Sequence, residues 1–325
     1  MLVSQQAANV NQLQKFACFL VALLYAALLC SFPMEGVIDR ANYLEMARVS
    51  PLIMARHLGQ GLHSLFANEP VWLALNSVLG LLFDDTVVVR IIVFFSAFVV
   101  SYLLLLNNPK NFFWLMLVLV FPQVMKNFVI HIRQGLAIAV FLLGWFSAGN
   151  KKRLFFIGLS PFIHSSFFII IAIMLGGWLL KKLRTAPDIK LLLYFCVSLS
   201  LALLVAQLAA IVGARQATTT AITAEAASGI GFLFWTMMLV LMLLQGRRFL
   251  HQYTVASGVL IFYLAAYFFT PIAGRVFESG VLLVLLALLA ITGWRRIIML
   301  TTILAFNAAL MLVSYTQPLM GFAEN

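Results

Sequence analysis

The stretch FVIHIRQGLAIAVFLLGW (128–145) sets His131, Arg133 and Gln134 at the head of an otherwise apolar helix, with Lys126 just before it. A charged Arg in hydrocarbon costs about 2.5–3.5 kcal/mol at a helix centre and less near the interface, so a cation here needs an occupation. It either snorkels to lipid headgroups or offers a fork of N–H donors to a phosphate or pyrophosphate, which guanidinium matches bidentately. Arg, His and Gln together make a poor lipid-facing surface, which favours the second. Lys126 and Arg133 share a face if one helix runs through Asn127, and His131 and Gln134 share another.

His164 stands in FIHSSF beside Ser165 and Ser166, at a break in an apolar segment and at the depth expected for Arg133. A neutral imidazole there serves as a general base or hydrogen-bonds a ligand phosphate; as a lone His among apolar residues it is otherwise a packing residue. In TPIAGRVFES (270–279), Arg275 opens a helix, and Glu278 three residues on either pairs with it or holds it against a second phosphate. In GVIDRANYLEMA (36–47), Asp39 and Tyr43 share a helical face with Arg40 adjacent, and Glu69 precedes an aromatic-bearing helix. Carboxylates and aromatics of this kind suit sugar hydroxyls and rings, as well as a hydrated capping loop. Adjacent Asp84 and Asp85 are weak evidence for a cation site. Walker, HExxH, CxxC, GxSxG and dinucleotide-binding signatures are absent.

The elements that must position these residues are membrane helices. Of the 325 residues 64% are hydrophobic and 10% charged, which excludes a soluble globular domain and predicts an all-α polytopic membrane protein. We expect one integral domain over 1–325, with about ten or eleven transmembrane or re-entrant helices. The apolar segments fall at about 16–32, 88–106, 111–125, 127–148, 190–212, 229–245, 252–270, 277–293 and 297–314. The first reads as an uncleaved span rather than a signal peptide. Cys18, Cys30 and Cys196 lie in apolar runs and read as packing residues.

The net charge of +11 is explained first by the positive-inside rule, ahead of any nucleic-acid partner. With the basic clusters at 151–153, 181–184, 247–248 and 295–296 on the cytoplasmic side, 154–180 must go out and return. Pro161 marks its break, so it reads as a broken or re-entrant helix pair. Segment 69–83 is too short to cross, which leaves 33–87 as an outer-face cap with an interfacial helix. The loop 213–228 lies on the same side. Arg40, Arg48, Arg56, Arg90, Lys126, Arg133, Arg215 and Arg275 then gather outside or in the outer half of the membrane, where the positive-inside rule does not put them.

The elements DRANYLEMA, EPVWLALNSVLG, IRQGLAIAVFLL, a basic turn, FIHSS and AGRVFE, in that order over residues 35–280, resemble the EpsG-like branch of the Wzy polysaccharide polymerases. The chain departs from that pattern at Arg40 and Ala41, where aromatic residues are more usual around the Asp, and in the shortness of 213–228. The resemblance implies a multi-pass protein of the bacterial cytoplasmic membrane whose active site faces the periplasm or the outside. Such proteins polymerise lipid-linked oligosaccharide repeats, moving the growing glycan from undecaprenyl pyrophosphate to the incoming repeat. Arg133, Arg275 and Arg90 or Lys126 would then bind pyrophosphate. His164 would take the acceptor proton or donate to a phosphate oxygen, with Asp39 as the competing base. Arg40, Tyr43, Glu69 and Gln134 would contact sugar or acceptor. Pyrophosphate leaves well once cations neutralise it, so no metal or other cofactor is called for. A chain-length regulator is a possible partner; nucleic acid is not.

Two rivals make different demands. A glycan ligase of the same class usually carries a larger outer loop than 213–228. A lipid-linked sugar flippase would show internal repeats and broken helices near the midplane, whereas the unexplained cations here gather at the outer side.

Overall fold

A computed structural model describes residues 11–37, 39–212, 229–270 and 272–315. Among the described residues the regular elements are helical, and the protein is an all-α polytopic membrane protein. Among the described residues five helices are long and apolar enough to cross a membrane, six if one bent pair counts as a span, and four shorter apolar helices accompany them. The loop 213–228 lies outside the described residues. Contacts divide the chain into two compact units, Met1–Ser165 with Leu310–Asn325, and Ser166–Ala309.

In the first unit, α1 (Gln12–Cys30) starts at a capping box in which Asn11 accepts from the Gln14 N–H and Gln14 reaches back. Cys18, Ala22, Tyr25, Ala26 and Leu29 form its buried stripe, while Phe16, Leu20, Leu24 and Leu28 stay exposed on the other face. A helix apolar on both faces is what a lipid surround requires. α2 (Arg40–Gly59), α3 (Leu62–Ala67) and α4 (Pro70–Gly80) follow, then α5 (Asp85–Asn107), which packs along α1. The two run antiparallel: Cys30 meets the Arg90 carbonyl at one end, and Phe19 meets Phe98 and Tyr102 further along. Asp84 caps α5 and Asp85 pairs with Arg48, so this acidic pair starts a helix. α2 lies against α4, where the Tyr43 ring meets Trp72 edge-on at 5.9 Å.

The expected spans 111–125 and 127–148 are cut differently. The structure has α6 (Phe112–Leu119), α7 (Pro122–Val129) and α8 (Ile132–Trp145), with a 69° bend between α6 and α7. Pro122 explains the first break, since it forces Phe121 into extended backbone (φ −61°, ψ 125°). The Leu119 carbonyl left over there accepts the Tyr25 hydroxyl at 2.8 Å. The second break lies at Ile130 and His131, whose N–H groups both donate to the Lys126 carbonyl at 2.8 Å. Lys126 and Arg133 are therefore on different helices, and the shared face expected for them does not exist, whereas His131 and Gln134 both belong to the head of α8. α7 and α8 pack closely because residue 135 is glycine: a Cβ there would stand 2.2 Å from the Asn127 carbonyl oxygen. α9 (Asn150–Leu159) packs on α8 and ends in a 3₁₀ turn, Ser160–Phe162, built around Pro161.

The second unit comprises α10 (Ser166–Lys182), α11 (Pro187–Val212), α12 (Ile230–Leu244), α13 (Arg247–Gln252), α14 (Thr254–Ala266), α15 (Ile272–Leu289) and most of α16 (Trp294–Tyr315). α15 is its most enclosed candidate span, packed on α14 with Gly280 against Val259. Ser166 and Ser279 share a buried hydrogen bond of 2.6 Å that ties α10 to α15. Small residues at such contacts let helices approach where lipid supplies no hydrophobic drive.

Candidate functional site

Glu69 is the hub. It sits at the N-cap of α4, directly before Pro70, with φ 59° and ψ 58°. An N-cap residue ordinarily has extended backbone and turns its side chain onto its own helix. Left-handed backbone turns Glu69 away instead, and it makes no capping hydrogen bond. Its carboxylate reaches two distant segments. Arg133 Nη1 donates to Oε2 at 2.6 Å, while the Ser165 N–H and His164 Nδ1 both lie 3.0 Å from Oε1. Glu69 and His164 are each 7% exposed.

Such burial alone would raise the Glu69 carboxyl. The Arg133 charge, the His164 hydrogen bond and charge, and the Ser165 N–H outweigh it and hold the group well below the usual carboxylate range, at about 2. Arg133 Nε and His164 Nε2 are buried and have no hydrogen-bond partner among the described residues. Tyr43 completes this cluster from α2. Its hydroxyl takes the Arg133 backbone N–H, and the guanidinium, Asp39 and Glu69 all lie within electrostatic reach of it.

Asp39 mirrors Glu69 two helices earlier. It is the N-cap of α2, again left-handed (φ 64°) and again making no cap bond to its own helix. His131 Nδ1 stands 3.9 Å from its Oδ2, and Asn42 donates to Oδ1 at 3.3 Å. This pair is open to solvent, with side chains 33% and 42% exposed. Of these two acid–imidazole pairs, Glu69–His164 is buried and Asp39–His131 accessible.

The remaining candidates separate. Arg40, a sugar contact on sequence grounds, is 1% exposed and spends Nη2 on the Val129 carbonyl at 2.7 Å. There it satisfies the C-terminal end of α7 and braces the turn into α8. Gln134 is buried within α8. Lys126 is half-buried at the end of α7. Arg90 is exposed on α5, near Cys30. Arg275 is exposed on the first turn of α15, in the second unit. Sequence reasoning did not find the Ser165 N–H, the Asp39–His131 pair or the brace from Arg40. Backbone donors carry no residue signature, and the two pairings join segments that nothing local connects.

A family model described as the EpsG family matches residues 13–323. The chain belongs to the EpsG family. No curated protein and no solved structure matches it. Membership of the EpsG family implies a polysaccharide polymerase-like role, in a multi-pass membrane setting. The chemistry available to this member is a half-buried cation, its side chain 29% exposed, a buried imidazole and the carboxylate that touches both.

Proposed function

We propose that this protein polymerises lipid-linked oligosaccharide repeats at the periplasmic or outer face of the bacterial cytoplasmic membrane. The growing glycan leaves undecaprenyl pyrophosphate and is joined to the incoming lipid-linked repeat. The observation that carries this reading is Arg133, charge-balanced by Glu69 beside His164 at the head of a buried helix, in a chain of the EpsG family. A half-buried cation that spends one guanidinium nitrogen on Glu69 keeps other donors for the charge that develops on a leaving pyrophosphate. Arg133 grips that pyrophosphate, with Lys126, Arg90 and Arg275 as further candidate cations. Tyr43, Gln134 and Asp39 are candidate contacts to sugar and acceptor, and a chain-length regulator is a candidate partner.

Orientation rests on charge. The α1–α5 pair brings the end of α1 to the start of α5, near Arg40, and leaves Lys15 and Lys110 at the opposite ends of those helices. In the second unit Asp188 and Arg247 pair at 2.6 Å, as two residues on one membrane face must. Lys and Arg at helix ends and loops favour the cytoplasm, which supports an outward-facing Arg133 end.

The test is a gel of surface glycan and lipid-linked intermediates from a deletion strain carrying wild type, Arg133→Ala or Arg133→Lys. Wild type is expected to restore a ladder, Arg133→Ala to leave a single repeat on its acceptor, and Arg133→Lys to restore part of the ladder. Full activity in Arg133→Ala would remove Arg133 from the site. Long chains held on undecaprenyl pyrophosphate would identify a ligase, and single repeats trapped on the cytoplasmic side a flippase.

A further inference from the structure

We infer that Glu69 is the positioning residue that makes His164 the general base of glycosyl transfer, by fixing the proton of its imidazole on Nδ1. The inference rests on the polymerase reading above and settles a choice that residue types leave open, between a His164 that takes the acceptor proton and one that donates to phosphate.

The argument is one of donors and acceptors. An ionised carboxylate only accepts. Oε2 is occupied by the Arg133 guanidinium, and Oε1 takes the Ser165 N–H with His164 Nδ1 at the same 3.0 Å. Nδ1 must therefore carry a hydrogen. In the neutral ring the lone pair then lies on Nε2, which is buried and has no hydrogen-bond partner among the described residues. A neutral His164 in this setting receives a proton and cannot give one. Asp39, the rival base, is half open to solvent and already faces His131 and Asn42. A solvated carboxylate is the weaker base.

The step balances without a further reactant. The acceptor hydroxyl oxygen bonds the anomeric carbon, the carbon–oxygen bond to pyrophosphate breaks, and its electron pair leaves with undecaprenyl pyrophosphate. The hydroxyl proton passes to His164 Nε2, giving an imidazolium whose Nδ1–H stays on Glu69. The leaving pyrophosphate gains a charge, which Arg133 faces, and is then basic enough to take the proton back. The charged groups on elements packed against the His164 turn are Glu69 ahead of α4, His131 and Arg133 at the head of α8, and Lys151, Lys152 and Arg153 at the opposite end of α9. Among these charged groups of the described residues, Glu69 is the one in hydrogen-bond contact with the ring.

Two variants test this. Glu69→Gln keeps the shape but must turn an NH₂ toward Arg133 or toward the Ser165 and His164 donors. Glu69→Gly removes the carboxylate at a φ of 59° that glycine adopts freely, so the backbone is not the cause of any loss. The substrate is the lipid-linked repeat isolated from the deletion strain, assayed with purified protein. Both variants are expected to lose at least about 100-fold in kcat, the scale of general-base catalysis. KM for the repeat should hold or fall, because Arg133 is released from its counter-ion. Formate should restore part of the Glu69→Gly rate. In wild-type protein carrying ¹⁵N-histidine, His164 should show a protonated Nδ1, and in Glu69→Gln that signature should change. Activity within tenfold of wild type in either variant, or an unprotonated Nδ1 in wild type, overturns the inference and leaves the polymerase reading standing. A wild-type protein that builds no ladder from the repeat overturns the polymerase reading, and the assignment of a base falls with it.

Discussion

At the scale of the residue, Glu69 holds together groups drawn from two distant places in the chain, and its ionisation has a measurable signature. Burial opposes its charge; Arg133, His164 and the Ser165 N–H more than compensate, so its folded pKa lies below the unfolded value. The sign follows from linkage: a depressed carboxyl contributes stability that is fully present above its unfolded pKa and is lost as pH falls through the folded one. Wild type should exceed Glu69→Gln in thermal stability in detergent at neutral pH, with the gap unchanged down to about pH 4.5 and closing toward pH 2. A gap that closes already between pH 7 and 5 would mean that the carboxyl is not held ionised by these partners. Arg133 is the complementary case. Lysine supplies charge without the planar fork, so Arg133→Lys tests whether the cation alone suffices, and the partial ladder expected of it reads the value of bidentate geometry.

At the scale of the element, the decisive feature is the pair of breaks that divides 112–145 into α6, α7 and α8. Gly135→Ala should force α7 and α8 apart, since its Cβ would press on the Asn127 backbone carbonyl at 2.2 Å. Overpacking of this kind costs about 1–3 kcal/mol, and the damage should reach activity because Arg133 lies half a turn away. Gly158→Ala in α9 is the control, with nothing within 4 Å of the new methyl, and should be neutral or stabilising. Paired melting curves and ladder assays check both. This element also marks the limit of what could be read from residues alone. Hydropathy sees two apolar runs, 111–125 and 127–148, and has no means to register a backbone turn at Ile130. The glycine of the RQG triplet was visible, but its reason, a carbonyl across the hairpin, was not. Arg40 shows the same gap: its position beside Asp39 invites a role in binding, whereas burial against Val129 gives it one in bracing.

At the scale of the whole molecule, alternating apolar runs and basic clusters were enough to declare the class, because lipid imposes length and composition on every span. The candidate site was legible as a set of unusual residues and illegible as a network: Glu69 reaches Arg133 across 64 positions and His164 across 95. The orientation is open to direct measurement. After replacement of Cys18, Cys30 and Cys196, single cysteines at Asn42 or Leu62 should react with an impermeant maleimide in whole spheroplasts, and cysteines at Lys152 or Arg248 only after the membrane is opened. The reverse pattern would invert the topology and move the chemistry to the cytoplasm. The shortness of α6, α7 and α8 also bears on how the chain is made. With 8, 8 and 14 residues they rise about 12, 12 and 21 Å, each less than the roughly 30 Å of hydrocarbon, so none can be released from the insertion machinery as a finished span. Each must wait for neighbours. Those it needs first, α1, α2 and α5, have already been synthesised, and with them come Arg40 to receive the end of α7 and Glu69 to meet Arg133 as it arrives. Synthesis order thus delivers the counter-ion before the ion, and the charged helix enters the bilayer as one half of a neutral pair.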